Sequence, residues 1–136
     1  MYPPELTKPM AAELTDAGFT QLSTVEMVNE EMKKEGTAIL VVNSVCGCAA
    51  GSARPAARIA VTNEKKPDRF LTVFAGVDAD ATNQARKFML PYPASSPSMA
   101  VFKDGRLVHF LERHHIEGNS AETIAENLAA AFDAFC

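Results

Sequence analysis

Two apolar runs in the middle of the chain have the pattern of strands that are buried on both faces. Thr37–Asn43 reads TAILVVN and Phe70–Val77 reads FLTVFAGV, and both are almost continuously apolar. Such runs are typical of central strands in a parallel or mixed sheet, because an exposed strand alternates apolar and polar residues. Two further runs, Met99–Lys103 and Leu107–Leu111, flank an Asp-Gly pair, and this arrangement predicts a β-hairpin.

Segments with helical periodicity alternate with these runs. We expect helices from Pro9 to about Gly18, from a Ser23–Glu26 capping box to Gly36, across the Ala-rich stretch up to Thr62, over Ala81–Leu90, and from Asn119 or Ser120 to the end of the chain. The resulting order is α-α-β-α-β-α-β-β-α. It predicts an α/β sandwich built around a mixed sheet of four or five strands.

Length and charge narrow the class of protein. A chain of 136 residues that is 47% hydrophobic can bury one core, so residues 1–136 are expected to form a single domain. The net charge of −4 provides no basic stripe for nucleic acid. The longest aliphatic run, Ala38–Val42, is too short to span a bilayer, and the first residues lack the features of a secretory signal. We therefore expect a soluble cytoplasmic protein that binds neither nucleic acid nor membrane, as a monomer or a homodimer.

A close pair of cysteines follows the first buried strand and precedes a predicted helix, which is where reactive sites collect in α/β sheets. In a reducing compartment such a pair is more often redox-active or metal-binding than structural. The positive end of a helix lowers the pKa of a nearby thiol. Because Cys46 is further from the helix body, we predict it to be the attacking thiolate and Cys48 the resolving thiol. Cys136, the last residue, is predicted to be a spare thiol.

The spacing of the pair leaves more than one function open. A Cys-x-Cys disulfide closes a small ring, so Gly47 is expected to supply the backbone freedom that this ring requires. Strain would make the pair an oxidant or a catalyst of disulfide exchange, and a disulfide isomerase is therefore an alternative. The pair could also be inert, or it could form part of a metal-binding module. The nearby sequence offers no third or fourth ligand, so no metal is expected.

Two other features could support the cysteine pair. Pro97 stands immediately before a predicted strand. At such a position an edge-strand proline with a trans peptide bond is commoner than one with a cis bond. Arg54 and Arg58 lie one helical turn apart and could hold an anionic thiol. The pattern alone favours solvated helix residues for both.

Taken together, the dicysteine after a buried strand and the proline before a strand with the motif F-K-x-G resemble the thioredoxin superfamily. The segment Val45–Pro55, VCGCAAGSARP, directly after VVNS, resembles the signature of one branch, the bacilliredoxins, and the similarity extends over nearly the whole chain. The resemblance implies a three-layer α/β/α sandwich. It also implies a cis peptide bond between Ser96 and Pro97, packed beside the sulfur atoms.

The same resemblance implies an activity. Bacilliredoxins reduce mixed disulfides between S-thiolated client proteins and a low-molecular-weight thiol, bacillithiol, which acts as a co-substrate, and no bound cofactor is implied. In this sequence the small thiol would be carried by Cys46 and released by Cys48. Gly47, Arg54, Ser96 and Pro97 would support the site.

Overall fold

The computed structural model describes residues 2–136. The elements in chain order are α1 (Pro4–Thr15), β1 (Thr20–Gln21), α2 (Val25–Met32), β2 (Thr37–Asn43), a π-helical turn (Ala49–Ala53), α3 (Arg54–Ala60), β3 (Arg69–Phe74), α4 (Ala79–Lys87), β4 (Ser98–Lys103), β5 (Arg106–Leu111), α5 (Arg113–Ile116) and α6 (Ala121–Phe135). The strands form one mixed sheet in the order β1-β3-β2-β4-β5. The first three strands are parallel, and β4 and β5 run antiparallel to their neighbours.

The central position of β2 explains its continuous apolar sequence. All seven residues of β2 are buried. Ile39 and Val41 face a core formed with α1, α3 and α6, whereas Leu40 and Val42 face a second core formed with α2 and α4. Helices therefore cover both faces of the sheet, and the predicted three-layer α/β/α sandwich is confirmed. No helix within residues 2–136 combines the length and the apolar character needed to cross a membrane.

Two of the helix starts that differ from the prediction have a local explanation. The first helix begins at Pro4 rather than Pro9, since a proline in the first turn needs no backbone N–H, and Pro9 lies inside the helix. The second helix is capped by Thr24, whose hydroxyl accepts a hydrogen bond of 3.1 Å from the Met27 N–H, and not by Ser23. Capping motifs on neighbouring residues compete, and the local backbone decides between them.

The register of the sheet brings three chain segments to one edge. Val42 near the end of β2 pairs with Ser98 at the start of β4, and Met99 pairs with Leu111 at the end of β5. The residues that follow β2, precede β4 and follow β5 must therefore lie close together. These are the cysteine pair, the segment before Ser98, and the short helix α5.

Candidate active site

The cysteine pair lies where the chain passes from β2 into a helix. Cys46 and Cys48 form a disulfide with their Cα atoms 5.4 Å apart, and both residues are half-buried. The N–H groups of Ala49 and Ala50 donate to the Cys46 carbonyl at 2.9 and 3.3 Å, which begins the helical turn. The pair is therefore placed at a helix start after a buried strand, as the sequence predicts.

The reason given above for a glycine at position 47 is wrong. Gly47 does not have the positive φ found at five other glycines within residues 2–136. A Cβ atom built on Gly47 would meet no atom within 4 Å. The backbone between the sulfurs enters the helix directly, so it needs no left-handed conformation. Gly47 is exposed, and the lack of a side chain leaves the space beside it open.

The Cys46 sulfur receives two hydrogen-bond donors. Nη2 of Arg113 lies 3.2 Å from Cys46 Sγ, and the Cys48 N–H lies 3.4 Å from the same atom. A cationic donor and a backbone N–H both stabilise negative charge on an acceptor. The arrangement therefore favours the thiolate of Cys46 when the disulfide is reduced.

Sequence reasoning missed Arg113. Its backbone N–H donates to Ser95 Oγ at 3.3 Å, and its Nη1 donates to the Ser96 carbonyl at 3.3 Å. No local motif marks this residue. The available signal was the hairpin register, because the residues just after Leu111 must lie beside those just before Ser98.

The peptide bond before Pro97 has the configuration that the resemblance implies. The Ser96–Pro97 bond is cis, as expected, and a second cis bond precedes Pro91. Pro97 is buried and Ser96 is half-buried. Because the Arg113 guanidinium donates both to the Ser96 carbonyl and to Cys46 Sγ, one side chain joins the proline segment to the disulfide.

The expectation that Arg54 is a solvated helix residue is wrong, since only 1% of it is exposed. Its Nη1 donates to Asn43 Oδ1 at 3.0 Å and to the Ser44 carbonyl at 2.8 Å. Its Nε lies 3.2 Å from Glu13 Oε2, an ion pair without hydrogen-bond alignment. Arg54 stands at the start of α3, where it reaches Asn43 and Ser44 at the end of β2, and spacing along the helix does not reveal this contact. Arg58 is exposed as predicted.

A chain of hydrogen bonds links Arg54 to the cysteine pair. Asn43 Oδ1, which accepts from Arg54, also accepts from the Ser44 N–H at 2.8 Å. Ser44 Oγ in turn accepts from the Cys46 N–H at 3.0 Å. These hydrogen bonds tie Arg54 to the backbone between β2 and Cys46.

Glu112, His114 and His115 form the one group of three possible metal-ligand side chains within residues 2–136. His115 Nδ1 accepts from the Glu112 N–H at 3.0 Å, and the Glu112 side chain accepts from the His115 backbone. This reciprocal pair caps the start of α5. The group includes neither Cys46 nor Cys48.

The third cysteine lies far from the pair. The Cys136 thiol is close to Thr37 at the start of β2, whereas Cys46 follows the end of that strand. Seven strand residues span about 20 Å. Burial raises the pKa of the Cys136 thiol, and the nearby Asp68 carboxylate raises it further. Cys136 therefore has no geometric connection to the disulfide.

These differences predict an order of alkylation in the reduced protein. Cys46 should be labelled by limiting iodoacetamide at the lowest pH, because two donors stabilise its thiolate. Cys136 should need a higher pH, because a raised pKa keeps its thiol protonated. Peptide mass spectrometry at graded pH measures the order, and urea-unfolded protein serves as the control in which the three thiols react alike. Labelling of Cys48 or Cys136 ahead of Cys46 would contradict this assignment.

The fold resembles that of solved thioredoxins. Mitochondrial thioredoxin 3 of Saccharomyces cerevisiae, in its oxidized form, superposes with a TM-score of 0.62 at 14% identity over 90% of this chain and 99% of that chain. Oxidized thioredoxin O2 of Arabidopsis thaliana superposes with a TM-score of 0.58 at 14% identity, over 86% of this chain and 96% of that chain. The fold is that of thioredoxin, and with the Cys46–Cys48 pair it defines a thiol–disulfide oxidoreductase.

Sequence comparison places the chain within this class. The family model described as "Disulphide isomerase" matches residues 2–136. A bacilliredoxin of Cytophaga hutchinsonii is 59% identical over 133 residues, which cover 98% of this chain and 98% of the relative. A bacilliredoxin of Geobacillus kaustophilus is 53% identical over 137 residues, 99% of this chain and 94% of the relative. The chain belongs to the bacilliredoxin family.

Proposed function

We propose that the protein reduces mixed disulfides between client proteins and bacillithiol or a related small thiol, in the cytoplasm. The observation that carries this proposal is the pair of donors on Cys46 Sγ, Arg113 Nη2 and the Cys48 N–H. They favour one of the two sulfurs as thiolate, and a thiolate is the attacking species in disulfide exchange. The names of the relatives support the choice of small thiol.

The proposed reaction has two exchange steps. The Cys46 thiolate attacks the small-thiol sulfur of the mixed disulfide, forms a new S–S bond to it, and releases the client as a thiolate that takes a proton from water. The Cys48 thiolate then attacks Cys46 Sγ, releases the small thiol and closes the internal disulfide. Two further molecules of small thiol return the pair to the dithiol and leave as their own disulfide. The two sulfur atoms carry the electrons, so the cycle needs no bound cofactor.

The surrounding residues hold this pair in place. The buried Arg54 fixes the segment from Asn43 to Cys46 through direct and relayed hydrogen bonds. The segment before β4, with Ser96 and Pro97, lies beside the pair and is joined to it by Arg113. We propose that Arg54, Ser96 and Pro97 orient the reacting groups, and that Gly47 leaves the disulfide accessible to a protein substrate.

Disulfide isomerisation is the second candidate function, and the description of the family model favours it. The same Cys46 thiolate would attack a client disulfide directly. Release of Cys46 by another client thiol, rather than by Cys48, would complete the exchange. The two functions differ in substrate, not in the attacking group.

A dethiolation assay tests the proposal. A model client with a single cysteine is loaded in parallel with bacillithiol, glutathione or coenzyme A, and the reduced protein is added in stoichiometric amount, so that each dithiol reduces one mixed disulfide. Intact-mass spectrometry should show the fastest release from the bacillithiol adduct. Scrambled ribonuclease is assayed in parallel. Recovery of ribonuclease activity without release from any adduct would replace the proposal by isomerisation.

A further inference from the structure

An exposed guanidinium lies between the reactive sulfur and a carboxylate. Nη2 of Arg113 is 3.2 Å from Cys46 Sγ, and its Nε is 3.5 Å from Glu117 Oε2. The two side chains of this ion pair are 44% and 59% exposed. A carboxylate is thus held by the same group that contacts the reacting sulfur, at a place open to solvent.

The position of Arg113 is fixed independently of that carboxylate. Its N–H and Nη1 bond to the segment before β4 at Ser95 and Ser96, and the capping pair of Glu112 and His115 holds the start of α5. The Glu112 carboxylate is engaged in this cap. The guanidinium therefore stays beside Cys46 even when Glu117 moves away.

We propose that Arg113 binds the carboxylate of the small thiol that reacts at Cys46, and that Glu117 occupies this position until the thiol arrives. A guanidinium attracts a carboxylate and donates hydrogen bonds to it, which gives the pair direction as well as attraction. A thiol whose carboxylate replaces that of Glu117 brings its sulfur towards Cys46 Sγ. The site selects small thiols that carry a carboxylate over neutral or cationic ones. This inference rests on the proposed use of a small thiol as co-substrate.

The step to be tested is reduction of the internal disulfide. A small thiolate attacks Cys46 Sγ and forms a mixed disulfide with it, and Cys48 leaves as a thiolate that takes a proton from water. A second small thiolate attacks the small-thiol sulfur of that mixed disulfide. This regenerates the Cys46 thiolate and releases the disulfide of the small thiol. Binding at Arg113 accelerates the first attack.

The experiment compares 3-mercaptopropionate, 2-mercaptoethanol and cysteamine, which differ in their terminal group. The rate constant of disulfide reduction is measured by acid quench and mass spectrometry, per concentration of thiolate and at constant ionic strength. The measured quantity is the rate constant for the anionic 3-mercaptopropionate divided by the rate constant for the neutral 2-mercaptoethanol. Arg113→Gln should lower this ratio about 1.5- to fivefold, the range for exposed ion pairs. Glu117→Gln should raise the ratio. Arg113→Lys should give a ratio between those of the wild type and Arg113→Gln.

Arg106→Gln is the matched control, because it removes the same charge at the opposite end of β5, where Arg106 is exposed. Its ratio should equal that of the wild type. An unchanged ratio in Arg113→Gln, or an equal fall for all three thiols, would overturn the carboxylate site. Failure of dethiolation alone would reject the proposed client reaction. The ratio in this assay would still report whether Arg113 binds the carboxylate.

Discussion

Replacement of Cys46 by serine is expected to reduce release of a small thiol from a mixed disulfide to the uncatalysed rate. A hydroxyl at this position cannot attack a disulfide, since only a thiolate does so at neutral pH. Cys48 does not replace it, because the Arg113 guanidinium is directed at the Cys46 sulfur. Intact-mass spectrometry of the client over time measures the rate.

Cys136→Ser is the matched control for this prediction. Its thiol lies at the other end of β2, and burial raises its pKa, so its loss should leave turnover unchanged. Turnover by Cys46→Ser above the uncatalysed rate would contradict the mechanism. A loss of turnover in Cys136→Ser would assign a role to the terminal thiol.

Arg54→Ala is expected to lower the free energy of unfolding by about 3 kcal/mol, the low end of the cost of breaking a buried ion pair. The substitution leaves Asn43 Oδ1 and the Ser44 carbonyl without this donor in a buried region. Glu13 is 36% exposed, so water can solvate its carboxylate after the change. The loss in the free energy of unfolding is therefore expected at the low end of the range.

Urea unfolding of the reduced protein measures this loss, and Arg58→Ala provides the control. Arg58 lies on the same helix but is exposed, so its removal should change stability by less than about 0.5 kcal/mol. Equal losses for the two variants would show that the hydrogen bonds of Arg54 contribute little to the fold.

Long apolar runs made most of the fold predictable. The central strand β2 runs over Thr37–Asn43, as the sequence indicates, because burial on both faces demands a continuous apolar sequence. The hairpin was predictable from its turn residues. By contrast, β1 has two residues and α5 has four, so each contains only about one period of its pattern and shows no repeat. Their positions depend on the neighbours with which they pair.

The site was predictable only as far as local sequence defines it. The cysteine pair and Pro97 occur in recognisable motifs. The burial of Arg54 depends on its hydrogen bonds to Asn43 and Ser44 at the end of β2, which helical periodicity does not reveal. Arg113 reaches Cys46 because of the hairpin register, so its role depends on tertiary structure.

The central claim is that Cys46 attacks and Cys48 resolves, and a trapping experiment with Cys48→Ser tests it most directly. The reduced variant is mixed with a client that carries bacillithiol, and the products are identified by intact mass and peptide mapping. We expect one equivalent of free client and a stable bacillithiol adduct on Cys46, because no second thiol is placed to release it. A variant without an adduct, or an adduct between Cys46 and the client itself, would contradict the account.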